Sequence, residues 1–270
     1  MSADPLTKTI IITGATDGIG FETAKMIAQK GHTLLLHGRN EQKLQATAQA
    51  IAKIVGAGEV RTYRADLSIL SEVKAMAEAI RTDFVSLDAL INNAGVFVTS
   101  HPTTAQGYDA RYIVNAVAPY ALTKALVPSL GKTGRVVNVS SAAQSPVQLQ
   151  DFLSKRSFSD NAAYAQSKLA LTMWSAELGQ ELGANGPAII AVNPASFLGS
   201  KMVKEAYGQQ GHDLQIGADI LTRAALSDEF SNASGRYYDN DRKAFAQPHP
   251  DALNSGKNKH VIEAIEQLIG

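Results

Sequence analysis

A run of mostly β-branched residues, Thr9-Ile10-Ile11-Ile12-Thr13, passes directly into Gly14-Ala15-Thr16-Asp17-Gly18-Ile19-Gly20 and then into an amphipathic stretch over 19–30. Strand, glycine turn and helix in that order constrain the chain more than any other feature. Glycines allow a tight turn and a close backbone approach to a pyrophosphate, and the helix N-terminus offers amide donors at the positive end of its dipole. The plainer reading is an ordinary strand-to-helix turn. The spacing Gly-x3-Gly-x-Gly also differs from the common dinucleotide fingerprint Gly-x-Gly-x-x-Gly and points to a subset of dinucleotide folds.

The unit repeats. Short apolar runs predict strands over 33–37, 60–64, 89–92, 135–139 and 187–192, and helical periodicity covers 41–55, 70–84, 108–129 and 162–182. Such alternation predicts parallel strands joined by crossover helices, an α/β fold. Beyond Asn193 the rhythm changes: 199–217 reads as irregular or short-helical, 218–226 as a helix, 236–238 as a last strand, and 239–258 as polar and turn-rich before a closing helix over 261–269. No linker or internal repeat divides the 270 residues, so the expectation is one domain over 1–270, with a lead at 1–8 and a tail at 239–270.

Charge and composition exclude several functions. The 25 basic and 25 acidic residues cancel, so no overall field draws the chain to nucleic acid or an anionic membrane. Without cysteine there is no disulfide, thiol nucleophile, zinc–thiolate or iron–sulfur site, and six histidines without an i,i+4 pair argue against a metal. The N-terminus lacks a signal-peptide pattern, and no apolar run approaches the roughly 18 residues of a membrane span. The expectation is a soluble, cytoplasmic protein.

Chemistry gathers at the strand ends, where an open parallel sheet binds ligands. Asp66-Leu67 follows the third strand, Asn92-Asn93-Ala94-Gly95 closes the fourth and Ser140-Ser141 the fifth; Tyr164 and Lys168, four apart, share a helix face. About 20 residues past the glycines a carboxylate usually binds the adenosine ribose. Here the text is His37-Gly38-Arg39-Asn40, and the Arg39 guanidinium suits a ribose 2′-phosphate, which favours NADP(H) over NAD. Alternatively Arg39 stands in solvent, and Asp17 repels a phosphate.

In this order the motifs resemble the short-chain dehydrogenase/reductase family over about 9–238. The pattern TGxxxGIG is met by 13–20, NNAG by 92–95, the helix asparagine by Asn115, the serine by Ser141, and YxxxK by Tyr164 and Lys168. The Ser141–Tyr164 separation, Tyr-Ala-Gln-Ser-Lys-Leu-Ala at 164–170, and Gly-Arg-Asn after the second strand are most similar to the retinol-dehydrogenase-like branch. The resemblance implies a doubly wound sheet of about seven strands with helices on both faces. It also implies NAD(P) binding by Gly14, Thr16, Asp17, Gly18, Ile19, Gly20, Arg39, Asp66, Leu67, Asn93, Ala94, Gly95, Tyr164, Lys168, Pro194 and Phe197. Carbonyl–alcohol chemistry then falls to Asn115, Ser141, Tyr164 and Lys168.

The residue types suit that chemistry. A carbonyl receiving hydride becomes an alkoxide and needs a proton donor and a hydrogen-bond donor in place. Tyr164 is read as the acid, Ser141 as the polariser, and Lys168 as the ammonium that lowers the phenol's pKa and holds the nicotinamide ribose. Asn115 steadies a water leading to the lysine or satisfies a backbone group at a kink, and resemblance alone chooses Ser141 over Ser140. After the sixth strand the family has Pro-Gly and a threonine for the carboxamide; this chain has Asn193-Pro194-Ala195-Ser196-Phe197-Leu198-Gly199-Ser200. Ser196, Ser200 or the backbone at Phe197 and Leu198 is left for that contact.

A lid over 142–161 and 199–217 brings Val147, Leu149, Phe152, Phe197, Met202 and Tyr207 to an apolar pocket with Phe97 and Val98, unless these are core. Lys155 and Arg156 greet an acidic substrate or sit in water. The expectation is an NADP(H)-dependent oxidoreductase interconverting an apolar ketone or aldehyde and its alcohol. The alternatives are an NAD-linked alcohol dehydrogenase and a non-catalytic cofactor-binding regulator. Family members pair through the long helices, here 108–129 and 162–182, although the branch includes monomers.

Overall fold

In the computed structural model, residues 7–208 and 211–270 are described, the side chains of 205–207 excepted. Strand β1 (Thr9–Ile12) enters helix α1 (Gly18–Ala28), and the pattern continues with β2 (Thr33–Gly38), α2 (Glu41–Ala52), β3 (Val60–Arg64), α3 (Leu70–Asp83) and β4 (Ala89–Asn92). A long helix follows in three parts: α4 (Ala110–Tyr112), a π turn (Ile113–Val117) and α5 (Ala118–Leu130). Next come β5 (Arg135–Val139), α6 (Leu149–Phe152), α7 (Asp160–Leu182), β6 (Ala188–Asn193), α8 (Lys201–Tyr207) and α9 (Leu214–Leu226). The chain closes with β7 (Tyr237–Asp239), β8 (Ala244–Ala246) and α10 (Ser255–Ile269).

The strands form one sheet in the order β3-β2-β1-β4-β5-β6-β7-β8. Seven are parallel as expected; β8 is added antiparallel to β7, with Tyr238 opposite Phe245. Side chains alternate across the pleat. Ile11, Leu35, Leu90, Val136 and Ile189 face α3, α5 and α7, whereas Ile10, Ile12, Leu34, Leu36, Ile91 and Ile190 face α1 and α9. Both faces are therefore dry, and burial of each such side chain contributes about 1.5–3 kcal/mol before entropy is charged. Strand order reverses between β1 and β4, so the loops leaving their C-terminal ends diverge and open a cleft.

The described helix Ala110–Leu130 is long and apolar enough to cross a membrane by length and composition, which the sequence reading did not anticipate. Here it is a core helix, with Tyr112, Ala116, Leu122 and Leu126 buried between α3 and α7. The tail lies along the same helices: Tyr120 of α5 donates to Glu266 of α10 at 2.7 Å, and Ser255 donates to Glu177 of α7 at 2.8 Å.

Candidate active site

The glycine turn is shaped by contacts that leave no room for side chains. Gly14 has φ +66°, and a Cβ on it would stand 2.8 Å from the Ala94 Cα; one on Gly20 would stand 2.4 Å from both Asn93 Nδ2 and the Gly14 carbonyl. The NNAG turn fastens this loop: Asn93 Nδ2 donates to the carbonyls of Thr13 and Gly14 at 2.9 and 3.1 Å, and Thr13 Oγ1 accepts from the amides of Asn93 and Ala94. Asp17 caps α1 through the Gly18 amide, leaving the amides of Ile19 and Gly20 unpaired among the described residues and available to an anion.

His37 is the member the sequence reading missed. Its Nδ1 accepts from the Gly14 amide at 3.2 Å, and its Nε2 lies 3.0 Å from the Ala65 carbonyl, an arrangement that requires the neutral ring with its proton on Nε2. Burial lowers its pKa and favours that form. Beyond it, Gly38 packs against Thr16, and Arg39 is exposed with no ion pair among the described residues. Asp66 is half-buried and closes a turn by accepting from the Ser68 amide; it does not cap α3, which starts at Leu70 after Ile69. Leu67 beside it is buried.

At the ends of β5 and α7 the two serines separate. Ser140 is buried, and its hydroxyl is paired with Thr172 at 2.7 Å. Ser141 is only half-buried, with Oγ accepting from the Ala143 amide at 3.0 Å, so its hydroxyl proton remains available to a ligand. Tyr164 is half-buried with its ring 4.5 Å from that of Phe97. Lys168 is 4% exposed, donates to the Val139 carbonyl at 2.6 Å, and places Nζ 5.6 Å from the Tyr164 ring centre. Burial pulls its pKa down to about 8. A Cβ on Gly95 would come within 3.6 Å of that ammonium, so glycine there keeps the space beside Lys168 open.

Asn115 serves the kink. Its carboxamide accepts from the Val96 amide at 2.8 Å and donates to the Val96 carbonyl and to Ser167 Oγ, at 2.9 and 3.0 Å. Pro119 has no N–H for the Asn115 carbonyl four residues earlier, and the helix opens into its π turn there, with Ala118 donating to Ile113.

The comparisons agree with this fold. A family model for short chain dehydrogenases matches residues 8–211. The chain belongs to the short-chain dehydrogenase family. Retinol dehydrogenase 12 of Homo sapiens is 30% identical to this short-chain dehydrogenase over 276 residues, covering 97% of this chain and 86% of that protein. Human polyprenol dehydrogenase is 29% identical, with 86% of this chain and 77% of the relative covered. A crystal structure of a Mycobacterium paratuberculosis protein superposes with a TM-score of 0.79 at 27% identity, covering 97% of this chain and 93% of that one. A Shigella flexneri chain described as a short-chain dehydrogenase and complexed with NADP gives a TM-score of 0.69 at 27% identity, covering 88% and 99%.

Where this short-chain dehydrogenase departs from its family's text, the backbone takes a positive φ at two non-glycine positions. Ala195, in the glycine position, holds φ +120° after Pro194, and Phe197 holds φ +52°. Of the two serines, Ser196 has its hydroxyl proton committed, whereas Ser200, whose Oγ only accepts, keeps its own. Ser196 donates both N–H and Oγ–H to Asp241, at 2.8 and 2.6 Å, and Ser200 caps α8 by accepting from the Val203 amide. The Phe197 carbonyl is taken by the His212 amide at 2.7 Å.

Several expected lid residues are elsewhere. Phe152 is buried against Tyr112, ring centres 4.8 Å apart, and belongs to the core. Val147 and Leu149 line a cavity of about 220 Å³ with Met173 and Val261. Met173 is nine residues past Tyr164, half a rotation around α7, so this cavity lies on the helix face away from the phenol. Phe97 does border Tyr164, Val98 and Phe197 are exposed, and Met202 is half-buried; the Tyr207 side chain, with residues 1–6 and 209–210, lies outside those described. Lys155 and Arg156 lie over the rings of Tyr108 and Phe158 at 5.8 and 4.6 Å.

Proposed function

We propose that this chain is an NADP(H)-dependent oxidoreductase that interconverts an apolar carbonyl compound and its alcohol, with Tyr164 as the acid or base. The observation that carries the reading is the buried Lys168 amine 5.6 Å from the ring centre of half-buried Tyr164, bonded to the Val139 carbonyl two residues before Ser141, whose hydroxyl proton is available. A bound nicotinamide supplies or accepts the hydride. Ser141 then donates a hydrogen bond to the substrate oxygen as charge develops there, while the Tyr164 phenol delivers its proton to the same oxygen. Lys168 stabilises the phenolate so formed. A water returning the proton to the site is taken by the Asn115 main-chain carbonyl, for which Pro119 supplies no helical N–H, while both carboxamide N–H groups are spent on Val96 and Ser167.

The loop fits the cofactor. Amides at Ile19 and Gly20, unpaired among the described residues, suit a pyrophosphate, and exposed Arg39 just past β2, with no ion pair among the described residues, suits a 2′-phosphate. The relative crystallised with NADP supports that choice. An apolar substrate is supported by Phe97 against the phenol and by relatives named for retinol and polyprenol, both isoprenoid alcohols.

The test is NADPH oxidation with a panel of apolar ketones and aldehydes, comparing wild type with Tyr164→Phe. Loss of the acid lowers kcat by about 10²–10⁴-fold at unchanged NADPH affinity. Equal turnover by the two proteins overturns the role of Tyr164, and a preference for NADH overturns that of Arg39.

A further inference from the structure

Among the described residues outside the proposed chemistry, the most heavily bonded buried ion is Arg111, in the short helix before the π turn, with its side chain fully inaccessible. A guanidinium has five N–H donors, and all five are spent. Nε and one NH2 proton meet the two oxygens of Asp109 at 2.8 and 2.6 Å; the other NH2 proton meets the Phe158 carbonyl at 3.0 Å. The NH1 group donates to Asp160 and, at 3.4 Å, to the Phe97 carbonyl. Asp109, also fully buried, accepts in addition from the Phe158 amide at 2.9 Å.

Three stretches of chain distant in sequence are thereby tied to one planar cation, and two of them bear on the phenol. Phe97 is the ring stacked on Tyr164, and Asp160 opens α7 one turn before Tyr164 on the same face. The N-cap of α7, Ser159, makes no side-chain capping hydrogen bond. Carrying a buried cation and a buried carboxylate here is an expensive way to hold a fold, because an apolar cluster of the same volume is often as stable. What the ions add is direction, since a bidentate guanidinium accepts partners only in its own plane.

We propose that Arg111, with Asp109 and Asp160, is a positioning device for the reaction. It sets the start of α7 against the Phe97 segment, so that the Tyr164 phenol and the apolar ring beside it meet the substrate in one geometry. The proposal rests on Tyr164 being the acid.

Asp160 is the group to change, because its carboxylate is 46% exposed and Asp160→Asn leaves no unpaired buried charge. In Asp160→Asn the expected result is kcat lower by about tenfold, the size of loss a small misplacement of a reacting group produces, with NADPH affinity by fluorescence titration within twofold of wild type. Asp160→Glu recovers part of the loss. Fluorotyrosine incorporated throughout the protein, with the Tyr164 resonance assigned from its absence in Tyr164→Phe, gives a readout independent of turnover: that resonance shifts or broadens in Asp160→Asn. Arg111→Lys, which keeps the charge but has three donors and no fork, shows the same signature if it folds. An unchanged kcat, or kcat and NADPH affinity falling together, overturns the proposal. If wild type turns over no carbonyl, the catalytic reading fails and the fluorine resonance alone decides the positioning claim, an unmoved signal refuting it.

Discussion

Around Gly14 the cleft is held, apart from the exposed Asp17 carboxylate on the Gly18 amide, by uncharged contacts: amides to His37 and Thr13, the Asn93 carboxamide to two carbonyls, and backbone packed where a Cβ would not fit. Around Tyr164 and Ser196 it is held by ions: Arg111 between two carboxylates, Asp241 under Ser196 and Asn193, and a buried Lys168. The difference follows from what each wall has to do. A wall receiving a pyrophosphate presents amides, and its one carboxylate, Asp17, is exposed to solvent, so its shape comes mainly from close backbone packing. A wall that moves a proton needs charge near the phenol and can use ions to direct side chains.

The largest effect on this contrast is expected from Gly20→Ala. The added Cβ sits 2.4 Å from Asn93 Nδ2 and the Gly14 carbonyl, so Asn93 must leave both of its acceptors or the loop must shift. Overpacking of this kind costs about 1–3 kcal/mol of stability. NADPH affinity by fluorescence titration should fall by on the order of 100-fold, about the 2.7 kcal/mol that two decades represent. An affinity within threefold of wild type would show that the uncharged wall is not shaped by that contact.

The ionic wall should respond to pH. Lys168 has a pKa near 8 folded against 10.5 unfolded. Between those values the unfolded chain binds a proton that the folded chain has released, so wild-type stability rises with pH across that window relative to Lys168→Met. Below pH 8 the difference between the two proteins is flat. From pH 8 to 10.5 wild type should gain about 3 kcal/mol on the variant in urea unfolding, an order-of-magnitude figure from the two pKa values. A difference that does not change across the window means that Lys168 keeps its proton in the fold.

The uncharged wall was the more legible in sequence. Glycines that admit no Cβ, an apolar run before them and an asparagine turn after β4 are local signals, and β3, β4 and β5 lie where short apolar runs between turn residues place them. Strand β8 escaped because three residues carry no period; Phe245 is held by the rings of Phe230 and Tyr238 and by Arg236 over its face. The ionic wall was half-read. Tyr164 and Lys168 announce themselves by spacing, but Arg111 and Asp160 stand 49 residues apart and Ser196 and Asp241 45 apart, and nothing in sequence pairs them. Phe152 and Val147 were read toward the pocket because an apolar residue in a loop looks the same whether it faces a ligand or the core.

The smallest effect should come from Ala195→Gly. Ala195 keeps φ +120°, a conformation in which a Cβ is strained, on the turn that delivers the Ser196 amide to Asp241. Such strain costs about 1–3 kcal/mol, and glycine removes it while adding about 0.4–1 kcal/mol of unfolded-chain entropy. The expected net is a gain of about 1 kcal/mol, read as an increase of about 2–4 °C in Tm. Because the change lies on the ionic wall and leaves the loop at Gly14 untouched, NADPH affinity should stay within twofold. A lower Tm would mean that the methyl group of Ala195 contributes more by packing than its backbone loses by strain. A gain in Tm with a loss of NADPH affinity would mean that the two walls are coupled through the turn after β6, and the separation drawn between them would have to be abandoned.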